Sequence, residues 1–259
     1  MIKLFYRHYG EGQPVIILHG LFGISDNWVT IGRRLAEKFE VFIPDQRNHG
    51  QSPHSDTFNY YTLAEDLFEF IENHKLINPV LIGHSMGGKV AMNFALKYPH
   101  KVDKLIIVDM SARKYPARQT HINIINAMLS IDFDNIKSRE EVSAIIPETI
   151  KPPGIKQLIL KNLYRINRNM LGWRMNVQAI YNNIENILDG IESPYTFDKP
   201  SLFVKGSNSD YILKEDHEHI RKNFPNAEFH TIENTSHWVH DEKPDELYAV
   251  FSKFFGKGM

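Results

Sequence analysis

The chain has 259 residues, with 30 Lys and Arg against 31 Asp and Glu, for a formal net charge of −1 at neutral pH. A chain of this length suits one large α/β domain with a sizeable core, and the near-zero charge offers no electrostatic footprint for nucleic acid or a membrane surface. There are no cysteines, which excludes disulfides, cysteine-ligated zinc and a thiol nucleophile.

In chain order, the start MIKLFYRHYG has no long apolar segment of the kind a secretion signal carries, and no run of about 18 apolar residues occurs anywhere. The expectation is a soluble, cytoplasmic protein. PVIILHG at 14–20 is the first apolar run of strand length, and it leads into HGLFG at 19–23. FEVFIPD at 39–45 is the second, followed by DQRNHGQS at 45–52, a stretch read as a structural loop even though it contains Asp45 and His49. In NYYTLAEDLFEFIENHKL, Leu63, Leu67, Phe70 and Ile71 recur at helical spacing. PVLIGHS at 79–85 precedes MGGKVAMNFALKYP, where Val90, Ala91, Phe94 and Ala95 share a helix face that stops before Pro99. KLIIVDM at 104–110 is a further strand candidate. Continuous apolar runs suit strands buried on both faces, and their alternation with amphipathic stretches predicts an α/β fold around a mostly parallel sheet.

That rhythm breaks over 112–197, which offers helix candidates in THINIINAMLSI, IKQLILKNLYRI and WRMNVQAIYNNI and no convincing strand. It resumes with SLFVKG at 201–206, AEFHTIE and a carboxy-terminal helix. The organisation expected is a discontinuous core, 1–111 and 198–259, interrupted by a helical cap over 112–197.

Gly83-His84-Ser85-Met86-Gly87 matches G-x-S-x-G between a strand and a helix, the context in which a sharp turn exposes a serine nucleophile. A bare match could equally be a turn whose serine caps the helix; the flanking strand and helix favour the nucleophile. A serine hydroxyl needs a base, usually histidine. Of 13 histidines, His237 follows the last strand and comes after any acid in the expected chain order. His84 adjoins the serine, so its side chain is expected to point away from the reaction; His240 reads as a surface residue. His217 and His219, two apart on a helix, cannot share a face as a metal pair would. Charge developing on a carbonyl oxygen needs fixed N–H donors. The Leu21 N–H in HGLFG and the Met86 N–H after the serine are the expected oxyanion pair, with Phe22 facing the substrate.

HGLFG, DQRNHGQSPHS, GHSMGGKVAM, KLIIVDMS, GSNSDYI and TSHWVHDEKPDEL together resemble the α/β-hydrolase superfamily, and within it the YbfF-type bacterial esterases and their mitochondrial abhydrolase-domain relatives. The resemblance covers 14–111 and 200–255. It implies ester or thioester hydrolysis of a small molecule, no metal or organic cofactor, and a helical cap over the site. Most members place the acid in a G-x-x-D pattern after the strand that follows the cap. Here Ser209 stands three residues beyond Gly206, and the aspartate comes one later, at Asp210. The YbfF-type esterases instead imply an acid after the preceding strand, which is Asp109. Neighbouring strands lie only about 4.8 Å apart, so both Asp109 and Asp210 stay open, with Asp109 preferred.

The expected enzyme is a serine carboxylesterase with Ser85, His237 and Asp109. The alternative is an acyl-CoA thioesterase, which the cluster Arg113, Lys114 and Arg118 would serve; more remotely, the fold could be a silent binding module. Met128, Leu163, Met170 and Trp173 are candidates for the acyl pocket. No oligomeric state follows from the sequence.

Overall fold

The computed structural model describes residues 2–117, 119–146, 154–168 and 170–256. The first half alternates strand and helix: β1 (Tyr6–Tyr9), β2 (Gln13–Leu18), α1 (Val29–Leu35), β3 (Phe39–Pro44), α2 (Tyr60–Asn73), β4 (Val80–His84), α3 (Met86–Lys97) and β5 (Leu105–Val108). An intervening segment carries α4 (Gln119–Leu129), α5 (Arg139–Ile145), α6 (Gly154–Lys161), β6 (Leu163–Asn167), β7 (Met170–Trp173), α7 (Val177–Asn182) and α8 (Ile184–Leu188). The alternation then resumes with β8 (Ser201–Gly206), α9 (Asp216–Asn223), β9 (Ala227–Ile232), α10 (Val239–Glu242) and α11 (Pro244–Gly256).

Seven strands form one sheet in the order β1-β3-β2-β4-β5-β8-β9. All neighbours are parallel except β1, which runs antiparallel to β3 with Tyr6 opposite Pro44 and Tyr9 opposite Val41. Successive strand residues face opposite sides, so an unbroken apolar run feeds two cores at once. Ile16, Leu18 and Leu81 pack under α2 and α3. Val15, Ile17 and Ile82 pack on the other face with Trp28 and with Phe251 of α11. Because β4 is flanked by β2 and β5, its carboxyl end lies in the middle of the sheet's reactive edge.

Two elements depart from the sequence reading. β1 carries no apolar signal, since YRHY is a short, half-exposed edge strand. The stretch 112–197 is not purely helical either: β6 and β7 form an antiparallel hairpin with a bulge between Arg165 and Asn167. IKQLILKNLYRI therefore does not continue as one helix. Asn162 ends it, its fully buried amide bonding Leu158 O behind it (3.1 Å) and Phe22 O across the chain (2.8 Å). Likewise WRMNVQAIYNNI opens in β7, and α7 starts only after Asn176, whose side chain caps it by accepting from Ala179 N at 3.1 Å. Among the described residues, no helix is long and apolar enough to cross a membrane.

Candidate active site

Ser85 is the single residue between β4 and α3, held at φ 52° and ψ −122°, where a side chain is strained. The strain is sustained by the ladder around it. Ser85 N–H donates to Val108 O (3.1 Å), and Ser85 O accepts from Gly88 N–H (2.8 Å). The two glycines of the motif are needed for clearance: a Cβ on Gly83 would strike the Gly87 carbonyl, and one on Gly87 would strike the carbonyls of Leu18 and His19.

The loop after β2 closes on this turn. Gly23 N–H donates to Gly20 O (3.0 Å), with Phe22 at φ 65° in the third position of the turn, so the Leu21 amide is left out of the turn's own hydrogen bond. A Cβ on Gly20 would sit 3.1 Å from Ser85 Cβ and 3.0 Å from His84 Nδ1, which brings the Leu21 backbone up against Ser85. Met86 is the first residue of α3, so its N–H is among the donors a helix leaves without an internal acceptor. His19 fixes the loop from behind: its Nε2 accepts from Gln46 N–H (3.0 Å) and its Nδ1–H donates to Gly20 O (2.9 Å). Burial pushes His19 down to about 4 and keeps it neutral. DQRNHGQS is indeed a scaffold: Asp45 accepts from Ser25 N–H (2.6 Å) and Gln51 N–H (2.8 Å), and Arg47 clasps Asp66 of α2.

Asp109 and His237 meet directly. Asp109 follows β5 at φ 52° with its carboxylate fully buried, and its Oδ2 accepts from His237 Nδ1–H at 2.7 Å. Two further donors hold that carboxylate, Gly206 N–H on Oδ1 (3.2 Å) and the Ser209 hydroxyl on Oδ2. A carboxylate in a dry site requires such donors. In a neutral His237 whose Nδ1–H is directed at Asp109, Nε2 is the nitrogen that carries the lone pair. Asp210 is arranged otherwise: it is exposed, and its carbonyl accepts from Arg113 Nη2 at 2.9 Å. Ser209 is the site member that the sequence reading passed over; the signal was its place three residues beyond Gly206, where an acid was expected.

His84 and His240 correct their expectations. His84 does not point away from the site. Its Nε2–H donates to the His237 carbonyl (3.0 Å), and its ring lies 4.8 Å from that of His237, because the strand end turns it into the gap between Gly20 and the His237 loop. His240 is no surface residue: α10 turns it inward to stack on Trp28 at 4.6 Å and 9°. Burial drives His84 well below its ordinary value and His240 to about 3, so both are neutral packing groups.

A cavity of about 280 Å³ opens over Ser85 and His237. Leu21, Phe22 and Trp238 line it from the core side, Ile124 of α4 and Ile155 of α6 from the intervening segment. Met128, Leu163, Met170 and Trp173 do not line it. Met128 is buried within the segment, where its carbonyl accepts from Trp173 Nε1–H (3.0 Å), and Met170 faces solvent. Within the basic cluster, Arg113 pairs with Asp216 (3.2 Å) and the exposed Lys114 with Asp189 (3.3 Å), while Arg118 lies outside the described residues.

The sequence and the fold both have relatives. A family model described as alpha/beta hydrolase fold matches residues 13–134. Esterase YbfF of Escherichia coli is 31% identical, the match covering 94% of this chain and 93% of that protein. The sn-1-specific diacylglycerol lipase ABHD11 of Danio rerio is 37% identical, over 95% of this chain and 79% of its own. Among solved structures, a marine microorganism esterase superposes with a TM-score of 0.95 at 41% identity, over 98% of this chain and all of the other.

Proposed function

This chain belongs to the α/β-hydrolase family, in the group of the YbfF-type esterases and their abhydrolase-domain relatives, and from that membership we propose that it cleaves carboxylic esters of small molecules through an acyl-enzyme on Ser85. The observation that carries the mechanism is the buried Asp109–His237 hydrogen bond beside the strained serine on the floor of the cavity.

As Ser85 Oγ bonds to the acyl carbon, its proton passes to His237 Nε2 and the carbonyl π pair moves onto oxygen. Asp109 keeps Nδ1 protonated and offsets the imidazolium charge. The Leu21 and Met86 N–H groups take the oxyanion; in comparable sites one such donor is worth about 10²–10³ in kcat. His237 returns the proton to the leaving alcohol, then takes one from the water that attacks the acyl carbon and gives it to Ser85 Oγ as the acid leaves. The 112–197 segment acts as the cap, with Ile124 and Ile155 meeting the acyl chain. An acyl-CoA thioesterase remains the alternative; of the basic cluster that would serve it, Arg113 is paired with the buried Asp216, whereas the Lys114–Asp189 pair is exposed and weak. A screen of p-nitrophenyl esters of rising chain length, with diacylglycerol and acyl-CoA alongside, tests the reading. Ester turnover that vanishes in Ser85→Ala is expected; turnover surviving that substitution would overturn it.

A further inference from the structure

Among the described residues, Asp109 at Nδ1, the rings of His84 and Trp238, and Tyr211 on the ring face surround the His237 side chain. Tyr211 has no part in the mechanism above, yet its contact is the closest of the aromatic ones. Its ring lies 3.8 Å from the imidazole centroid with the planes 17° apart, against 4.8 Å and 37° for His84. We propose that Tyr211 is a positioning residue for ester hydrolysis, its ring face stabilising the positive charge that His237 acquires when it takes the Ser85 proton. This rests on the reading of Ser85 and His237 as nucleophile and base.

Tyr211 is fixed in that pose by groups outside the triad. Its N–H donates to Ser209 Oγ (3.2 Å), the same hydroxyl that donates to Asp109, and its carbonyl accepts from Tyr115 O–H (2.6 Å). The Tyr115 ring lies 5.2 Å behind it and carries the Arg113 guanidinium at 4.2 Å. One loop, Ser209 to Tyr211, thus orients the acid through a side chain and covers the base with a ring.

An aromatic face carries negative quadrupole charge and attracts a cation laid over it. Neutral imidazole gains little from that field, whereas imidazolium gains the full attraction. The contact therefore strengthens between ground state and transition state, the condition for raising kcat rather than lowering KM. His237 is largely screened from water, its side chain 15% exposed, which places the effect toward the stronger end of the range for such contacts. Removing the ring is expected to lower kcat by roughly five- to thirtyfold.

The test compares Tyr211→Leu and Tyr211→Met, which keep apolar bulk, with Tyr211→Phe, which keeps the ring. The expected result is a kcat reduced roughly five- to thirtyfold in Leu and Met with KM within about twofold of wild type, and near-complete rescue in Phe. The NMR signal of the His237 Cε1–H, shifted upfield by the stacked ring, should relax downfield in Leu and Met and stay in place in Phe. Equal kcat in Leu, Met and wild type, a loss expressed only in KM, or a His237 signal insensitive to the ring would each overturn the proposal. Failure of the triad reading is separate: it shows as ester turnover retained in Ser85→Ala, whereas the NMR arm reads the stack without turnover.

Discussion

Asp109→Asn exchanges a carboxylate with three donors for an amide with one acceptor oxygen. In one orientation the new NH₂ group takes the Oδ2 place and faces both His237 Nδ1 and the Ser209 hydroxyl. His237 can answer only by moving its proton to Nε2, where it can no longer accept one from Ser85. In the other orientation the NH₂ group faces Gly206 N–H, two donors in a fully buried site, at a cost of about 1–3 kcal/mol. A hydroxyl can rotate and an imidazole can change tautomer, but the Gly206 amide can do neither, so the first orientation prevails. The enzyme then rests in the wrong tautomer and its imidazolium has no counter-charge. In a serine protease this substitution costs about 10⁴ in kcat, equivalent to roughly 5.5 kcal/mol of barrier, and the same order is expected here. Steady-state hydrolysis of p-nitrophenyl butyrate, with Ser85→Ala as background, measures it. Asp210 lines the cavity, but the His237 Nδ1–H goes to Asp109, so Asp210→Asn should keep kcat within about tenfold of wild type. A kcat for Asp109→Asn within tenfold of wild type, or an equal collapse in Asp210→Asn, would refute the assignment.

Ser209→Ala removes one donor from the Asp109 carboxylate, and a charge-assisted hydrogen bond of this kind is worth about 1.5–3 kcal/mol; kcat should fall about tenfold or more, with Ser209→Thr restoring most of it. The buried histidines make stability pH-dependent. His19 at about 4 and His49 and His240 at about 3 are lowered by desolvation from an unfolded value near 6.5. Their contribution is complete above pH 6.5 and is lost as pH falls toward those folded values, each group adding up to about 1.4 kcal/mol per pH unit. Urea unfolding between pH 7 and 5 should show that loss, and His240→Gln should flatten it by one histidine's share; an unchanged slope would count against a neutral, buried His240. Lys89 of α3 buries its ammonium against the Arg113 and Asp189 carbonyls, at the two ends of the intervening segment, and between the Tyr60 and Tyr115 rings. Lys89→Met orphans both carbonyls, so a loss of about 2 kcal/mol or more is expected in urea unfolding; wild-type stability would mean that the ammonium holds nothing together.

The parallel strands were legible because a strand covered on both faces must be apolar throughout, and PVIIL, PVLIG and KLIIV satisfy that without help from partners. The elbow was legible for the related reason that Gly83 and Gly87 leave no room for a side chain. β1 and the β6–β7 hairpin lacked any such signal, since each exists by virtue of its pairing partner, and LYRIN continues the apolar spacing of the helix before it. The choice of acid was open in the sequence because β5 and β8 are neighbours whose ends both approach the His237 loop. What separates Asp109 from Asp210 is a set of donors, Gly206 N–H and Ser209 O–H, brought together only by folding. His84 and His240 misled for a similar reason, as polar residues whose burial depends on Trp28 and on the His237 loop closing over them.

The central claim is that Ser85 is a nucleophile activated by the fold. Intact mass spectrometry after exposure to a fluorophosphonate tests it most directly. One adduct per chain, mapped to the peptide containing Ser85 and absent in Ser85→Ala, is the result expected; an unlabelled wild type, or equal labelling of Ser85→Ala, would contradict it.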